Sequence, residues 1–229
     1  MRNEGRIQII SSFKNLYKEI FESYKNKVAP NRYPKVYLLL IGGTSRSGKT
    51  TLANHISGQL NTQHIKNIIV SLDSWLIDVD KRKENSVVIE RYETKAINNA
   101  INSLFKGHII FPPVYNPITR KRISQAGNAG LYIETGVAIV DGVITLAIPE
   151  LLGKADMSIF VDIEDKLRLQ WLTEFYIQCK GLSPDEAAAI IQDREKEEVP
   201  FIKETKKNAD IIFFPKNRWS GVTAIDITL

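Results

Sequence analysis

Cysteine is almost absent from this 229-residue chain. Cys179 stands alone, which excludes an intramolecular disulfide and fits a reducing compartment, with the cytoplasm as the expected one. Histidine is scarce as well: His55, His64 and His108 show no ligand spacing with one another or with Cys179, so no dedicated zinc site is expected. No uncharged apolar run approaches the roughly 18 residues of a membrane helix, and the N-terminus lacks an apolar leader core; neither a membrane partner nor export is expected. Charge is not one-sided either. The 31 basic and 26 acidic residues leave a net charge of +5, with the basic residues scattered among acids. That balance suits an anionic ligand without singling out nucleic acid, and no nucleic-acid partner is expected.

What is present is a globular composition, 43% hydrophobic and 25% charged, in a length that suits one α/β domain with a short appendage. Residues 1–30 read as the appendage and 31–229 as the domain. From 3 to 28, Ile7, Ile10, Phe13, Tyr17, Ile20, Phe21, Tyr24 and Val28 recur at helical spacing among Lys and Glu, the pattern of an amphipathic helix that packs on the domain or forms a dimer contact. Ala29 to Pro34 breaks it. Apolar runs at 36–41, 65–72, 137–140, 157–161 and 211–214 read as strands, and helical patterns lie between them. One of these patterns, 90–105, is stopped by Gly107; another runs from 164 to 180; a third opens at Ser183-Pro184-Asp185-Glu186 with a capping box. The charged stretch 76–88 reads as a mobile loop, and the proline-rich 111–117 with Thr119-Arg120-Lys121-Arg122 as a rim hairpin. Alternating strands and helices imply a parallel sheet covered on both faces.

The chemistry concentrates in Leu38 to Leu52, LLLIGGTSRSGKTTL, read as buried strand, glycine loop and helix start. Gly43, followed after four residues by Gly48-Lys49-Thr50, satisfies G-x-x-x-x-G-K-[ST], a loop whose backbone N–H groups wrap nucleotide phosphates. Gly43, Thr44, Ser45, Arg46, Ser47, Gly48, Lys49, Thr50 and Thr51 are therefore the candidate ATP-binding residues. Lys49 would meet the β- and γ-phosphates, Thr50 would offer its hydroxyl to Mg²⁺, and the helix start would aim its positive end at the same anion.

Two carboxylates follow apolar strands, where ligands bind in open α/β sheets. Asp73 could accept the proton of an acceptor hydroxyl, as phosphoryl transfer to an alcohol requires, or could merely cap the turn before Ser74. Asp141 ends a run of Val and Ile and is costly there unless a cation such as Mg²⁺ satisfies it; the plainer reading is an Asp-Gly turn. Tyr115, Arg120 and Arg122 could line an acceptor pocket or belong to a basic surface hairpin.

Taken in order, GGTSRSGKTT, SLDSW, FPPVYNPITRKR, AIVDGV, SIFVDIEDKLRLQ and NADIIF resemble the uridine kinase family of P-loop small-molecule kinases, which is related to phosphoribulokinase and bacterial pantothenate kinase; the resemblance covers about residues 36–214. It implies a three-layer P-loop sandwich, a five-stranded parallel sheet of order 2-3-1-4-5 with helices on both faces and a helical lid. It also implies an ATP- and Mg²⁺-dependent kinase of a small-molecule acceptor, with Asp73 as catalytic base, Lys49 and the lid's Arg168 beside the phosphates, Tyr115 and Arg122 on the acceptor, and Asp141 near magnesium. The chain departs from the family at three points: Leu76 replaces a tyrosine, Arg120 stands where a histidine contacts the nucleoside, and the lid keeps Arg168 but continues Gln170-Trp171-Leu172. Uridine or cytidine is the first acceptor the resemblance implies. A more anionic alcohol, of pantothenate or sugar-phosphate type, and a nucleotide-binding regulator without transfer activity stay open, as does a homo-oligomer.

Overall fold

The computed structural model describes residues 7–28, 36–123 and 129–215. Its centre is β2, Val36–Gly42, in which every residue is buried. Successive side chains of a strand point to opposite faces, so a strand covered on both sides must be apolar throughout. Leu38 and Leu40 enter one core with Val140, Ile97, Ile101 and Leu104. Tyr37, Leu39 and Ile41 enter the other with Leu16, Ile20, Leu52 and Ile56. At about 1.5–3 kcal/mol for each fully buried aliphatic side chain, these two layers dominate the stability of the domain.

Six strands form one sheet in the order β1-β8-β7-β2-β6-β3, where β1 is Gln8–Ile10, β3 Asn67–Ser71, β6 Gly136–Asp141, β7 Met157–Val161 and β8 Ile211–Phe213. All of the pairings are parallel. Without β1 the remaining strands run in the expected sequence 2-3-1-4-5. The sixth strand corrects the count of five, and with it the helix expected over 3–28: Gln8–Ile10 pairs with Ile211–Phe213, and the helix α1 begins only at Phe13 and ends at Val28. Ile7 and Ile10 match helical spacing, but in a strand of three residues no alternation has room to show. α1 packs Leu16 and Ile20 into the sheet's core, and Lys27 pairs with Asp156 at the far end of the sheet. The break at 29–34 and the boundary at residue 30 lie outside the described residues.

The other helices are α2 Lys49–Thr62, α3 Thr94–Phe105, α4 Pro149–Leu152, α5 Asp165–Glu174 and α6 Pro184–Glu204. Helix α3 starts later than expected because Val88–Arg91 is a 3-10 turn, and the helix read over 164–180 is α5 followed by a π-helical turn, Phe175–Cys179. Ser183 and Glu186 close the expected capping box on α6, with Pro184 in its first turn. A hairpin, β4 Val114–Asn116 and β5 Lys121–Ile123, stands apart from the sheet. The stretch 76–88 is tied to it: Val79 N donates to Arg120 O at 3.1 Å, Arg122 N to Asp78 Oδ1 at 2.7 Å, and Lys121 pairs with Asp80. This flap of loop plus hairpin takes the place of the free loop that the charge pattern suggested. No helix among the described residues is long and apolar enough to cross a membrane.

Candidate active site

Parallel pairing brings the candidate residues together before any side chain is considered. Asp141 sits in register with Ile41 on one side, just ahead of the glycine loop, and with Ser71 on the other, just ahead of Asp73. The loop between β2 and α2 and the turn after β3 therefore open at one carboxyl edge of the sheet, on either side of Asp141.

The glycine loop has the backbone its sequence implies. Gly48 takes φ of 93° as the residue before α2, a conformation costly for a side chain. Gly43 takes φ of +146°, and a Cβ there would lie 2.5 Å from Val161 O and 2.7 Å from Ser47 Oγ. Lys49 is 7% exposed and folds over the loop, Nζ donating to Thr44 O at 2.8 Å. Burial pushes its ammonium pKa down, while Asp73, Asp141 and Glu198 pull it back up. Three carboxylates thus converge on the lysine that the motif assigns to phosphates.

Asp141 is 1% exposed. Thr50 Oγ1 donates to its Oδ2 at 2.7 Å, whereas its Oδ1 is buried without a hydrogen-bond partner. Burial first, with the Thr50 hydroxyl opposing it and Asp73 adding to it, raises its pKa to about 6. Such an orphaned oxygen beside the motif hydroxyl fits a divalent cation held partly by water, the usual habit of Mg²⁺. No group of three or more His, Cys, Asp or Glu capable of enclosing a metal exists among the described residues, so any cation here would take most of its ligands from water and substrate.

Asp73 lies half-buried in the 3-10 turn Leu72–Trp75 directly after β3 and accepts from Tyr92 OH at 3.2 Å. Tyr115 OH accepts from Arg82 Nη2 at 2.9 Å. Arg122 has its guanidinium occupied: Nε donates to Leu76 O and Nη2 to Trp75 O, both at 3.1 Å, and Nη1 meets Glu93. It clamps the flap to the segment that follows Asp73. Arg168 is likewise engaged. It is 1% exposed and pairs with Glu195 and Asp165, joining α5 to α6, and these acids raise its pKa despite the opposing effect of burial. Arg120 occupies the hairpin tip at φ of 57°.

Residues 38–218 match the Phosphoribulokinase / Uridine kinase family. The chain belongs to that family. Its glycine loop and parallel sheet are those of a P-loop kinase. The uridine kinase of Lactobacillus helveticus is 28% identical over 189 residues, 78% of this chain and 86% of that protein. Uridine kinase-like protein 5 of Arabidopsis thaliana is 26% identical over 157 residues, 66% of this chain; the match spans only 32% of that longer protein. Among solved structures, one from Silicibacter sp. TM1040, provisionally named a fructose transport system kinase, superimposes with a TM-score of 0.69 at 20% identity, covering 89% of this chain and all of that one. At that identity it speaks for the P-loop kinase fold alone.

Three residues beside the candidate site, Tyr92, Arg194 and Glu198, escaped the sequence reading. Tyr92 was hidden inside a supposed helix. Arg194 and Glu198 lie one turn apart on α6; the charge of Glu198 reaches Lys49, Tyr92 and Arg194, and Arg194 Cζ lies 5.8 Å from the Tyr176 ring centre. Arg46 stacks on Phe175, its Cζ 3.6 Å from the ring centre, so the glycine loop and the π-helical turn of the lid touch. Only the one-turn spacing of Arg194 and Glu198 was visible in sequence, and it does not say what faces them.

Proposed function

We propose that the protein transfers the γ-phosphate of ATP, with Mg²⁺, to a hydroxyl of a small metabolite. The observation supporting this is the convergence of Asp73, Asp141 and buried Lys49 at one sheet edge, with the charges of both aspartates acting on the lysine. Lys49 and the amides of the glycine loop bind the phosphates. Asp73, held by the Tyr92 hydroxyl, orients the acceptor and takes its proton as the oxygen attacks phosphorus. Thr50 and Asp141 would hold Mg²⁺, which would supply positive charge to the phosphates when bound. Tyr115 meets the acceptor, Arg122 positions the flap that carries it, and Arg168 positions the lid through Glu195 rather than by touching phosphate. The names of the relatives make uridine and cytidine the first acceptors to test, and Arg120 on the flap makes a more anionic alcohol the second.

The test is acceptor-dependent ADP release by the full chain with Mg·ATP. Release that rises with an added alcohol and vanishes in Asp73→Asn supports the reading. Release that is independent of every acceptor, or unchanged in that variant, refutes it.

A further inference from the structure

Arg46 is a residue of the glycine loop whose side chain the motif does not require. Its position in G-x-x-x-x-G-K-[ST] is free, because the loop binds phosphates there through backbone N–H groups. The backbone at Arg46 lies in the left-handed region, at φ of 61°, a conformation costly for a side chain and free of that cost for glycine. The loop thus carries a strained arginine where the backbone alone would favour glycine. Strain of this kind gathers at active sites.

The guanidinium of Arg46 is held by the lid. Its Cζ lies 3.6 Å from the centre of the Phe175 ring, over the ring face. Phe175 opens the π-helical turn Phe175–Cys179, in which Lys180 N donates to Phe175 O at 3.2 Å, and such turns are common at functional sites. Stacking engages only the flat face of the guanidinium; its five N–H donors lie in the plane and stay open to a ligand. Among the described residues Arg46 forms no ion pair. Burial lowers its pKa, and the groups that oppose this are the Cys179 thiol and the Tyr176 phenol rather than a carboxylate.

The rest of the lid offers little charge to a phosphate. In α5, Arg168 is buried in its pairs with Asp165 and Glu195, and Lys166 is exposed. Lys180 stands farther from the same ring, its Nζ 5.4 Å from the centre. Arg46 instead belongs to the loop that wraps the triphosphate, three residues ahead of Lys49. Transfer spreads negative charge over the oxygens of the moving phosphoryl group, and a guanidinium fixed beside them stabilises that state more than the ground state.

We propose that Arg46 is a catalytic cation of the transfer: backed by Phe175 of the docked lid, it directs its in-plane N–H groups to the phosphoryl group being transferred, and Phe175 is the residue that positions it. The inference rests on the kinase reading above and adds to it a residue that ties the chemistry to the lid. In the step, the acceptor oxygen bonds to the γ-phosphorus, the bond from that phosphorus to the β–γ bridging oxygen breaks, ADP leaves with that oxygen, and the hydroxyl proton passes to Asp73. Arg46 keeps its protons and forms no bond to phosphorus. With the lid undocked the guanidinium loses its ring, so transfer is confined to the closed site, where water is excluded.

The experiment measures ADP release with Mg·ATP by the full chain over a panel of acceptors: uridine, cytidine, pantothenate and ribose 5-phosphate. The proteins compared are the parent, Arg46→Gly, Arg46→Lys, Phe175→Leu and the double variant Arg46→Gly with Phe175→Leu. Glycine accepts the loop conformation without strain, so Arg46→Gly should fold as the parent does, which melting temperatures check; if it does not, Arg46→Gln carries the same comparison. Its kcat should fall about 10²- to 10³-fold, the scale of one preorganised donor, with the KM for ATP within about 3-fold of the parent's. Arg46→Lys should recover part of kcat. Phe175→Leu should lower kcat about 10-fold, the scale of one cation–π contact, and should add nothing to the loss in Arg46→Gly, because it acts through Arg46. A second arm needs no acceptor: Mg·ADP with aluminium fluoride, a mimic of the moving phosphoryl group, should bind the parent at least about 10-fold more tightly than Mg·ADP alone, and Arg46→Gly should lose most of that gain.

A parent-like kcat in Arg46→Gly, a loss confined to the KM for ATP, or a faster Arg46→Gly overturns the inference and leaves the kinase reading intact. Stimulation of the parent by no acceptor refutes the kinase reading. In that case the aluminium fluoride arm decides the role of Arg46 in transfer to water: a gain present in the parent and lost in Arg46→Gly supports it, and a gain equal in the two proteins, or absent from the parent, overturns it.

Discussion

Asp141→Asn is the most informative single substitution in this protein, because the same carboxylate is costly to the fold and useful to the ligand. Its pKa is raised to about 6, above the ordinary aspartate value, chiefly by burial. A carboxyl that binds its proton more tightly in the folded than in the unfolded state favours folding while protonated. That contribution is intact below about pH 4, declines as pH rises from about 4 to 6, and is gone above it. Against an ordinary aspartate value of about 4, this corresponds to about 3 kcal/mol of penalty at pH 7. Asparagine cannot ionise and still offers an oxygen to the Thr50 hydroxyl. The melting temperature of Asp141→Asn minus that of the parent should therefore climb between pH 4 and 7 by about 6–12 °C for a chain of this size. Mg·ADP should reverse the ranking at pH 7 by stabilising the parent more, since the cation needs the ionised oxygen that the variant lacks. Differential scanning calorimetry across that pH range, with and without Mg·ADP, reads both effects. A difference that stays flat from pH 4 to 7, or an equal Mg·ADP shift in both proteins, refutes the reasoning.

Lys49→Ala should remove most of the stabilisation by Mg·ATP; ligand at about 100 times its dissociation constant adds about 2.7 kcal/mol, or about 5–10 °C, to the parent, and thermal shift measures it. Asp73→Asn should lower turnover by about 10²- to 10⁴-fold with Mg·ATP binding kept, read by steady-state kinetics and by the same thermal shift; loss of folding instead would make Asp73 a turn-capping residue. Arg168→Ala should destabilise the protein by about 2 kcal/mol, because Glu195 then loses its cation and α5 its tie to α6. Arg168→Lys should recover part of both stability and turnover, and a variant as stable as the parent but catalytically dead would instead place Arg168 on the phosphate.

The glycine loop was legible because its demands are local: positive φ at Gly43 and Gly48, and a lysine at set spacing behind an apolar strand. Strands β2, β6 and β7 showed for a similar reason, each being buried on both faces and apolar along its length. The strand order was another matter, since periodicity carries no information on neighbours and only the family resemblance supplied it. β1 was missed because its few residues fit a helical spacing that continues into α1. The largest gap lies in side-chain partnership. Arg122 and Arg168 look like free cations in the sequence, yet their partners Glu93 and Glu195 come from distant elements that only the fold brings near. Tyr92 beside Asp73, and Arg46 stacked on Phe175, are tertiary facts of the same kind.

The central claim, phosphoryl transfer directed by Asp73 to a small-molecule hydroxyl beside Lys49, is tested most directly by one measurement: Mg²⁺-dependent ADP release over the acceptor panel by the parent, Lys49→Ala and Asp73→Asn. The account predicts that an acceptor stimulates release in the parent, that Lys49→Ala loses both nucleotide binding and release, and that Asp73→Asn binds Mg·ATP yet releases ADP about 10²- to 10⁴-fold more slowly. Stimulated release of equal rate in the parent and Asp73→Asn would contradict it.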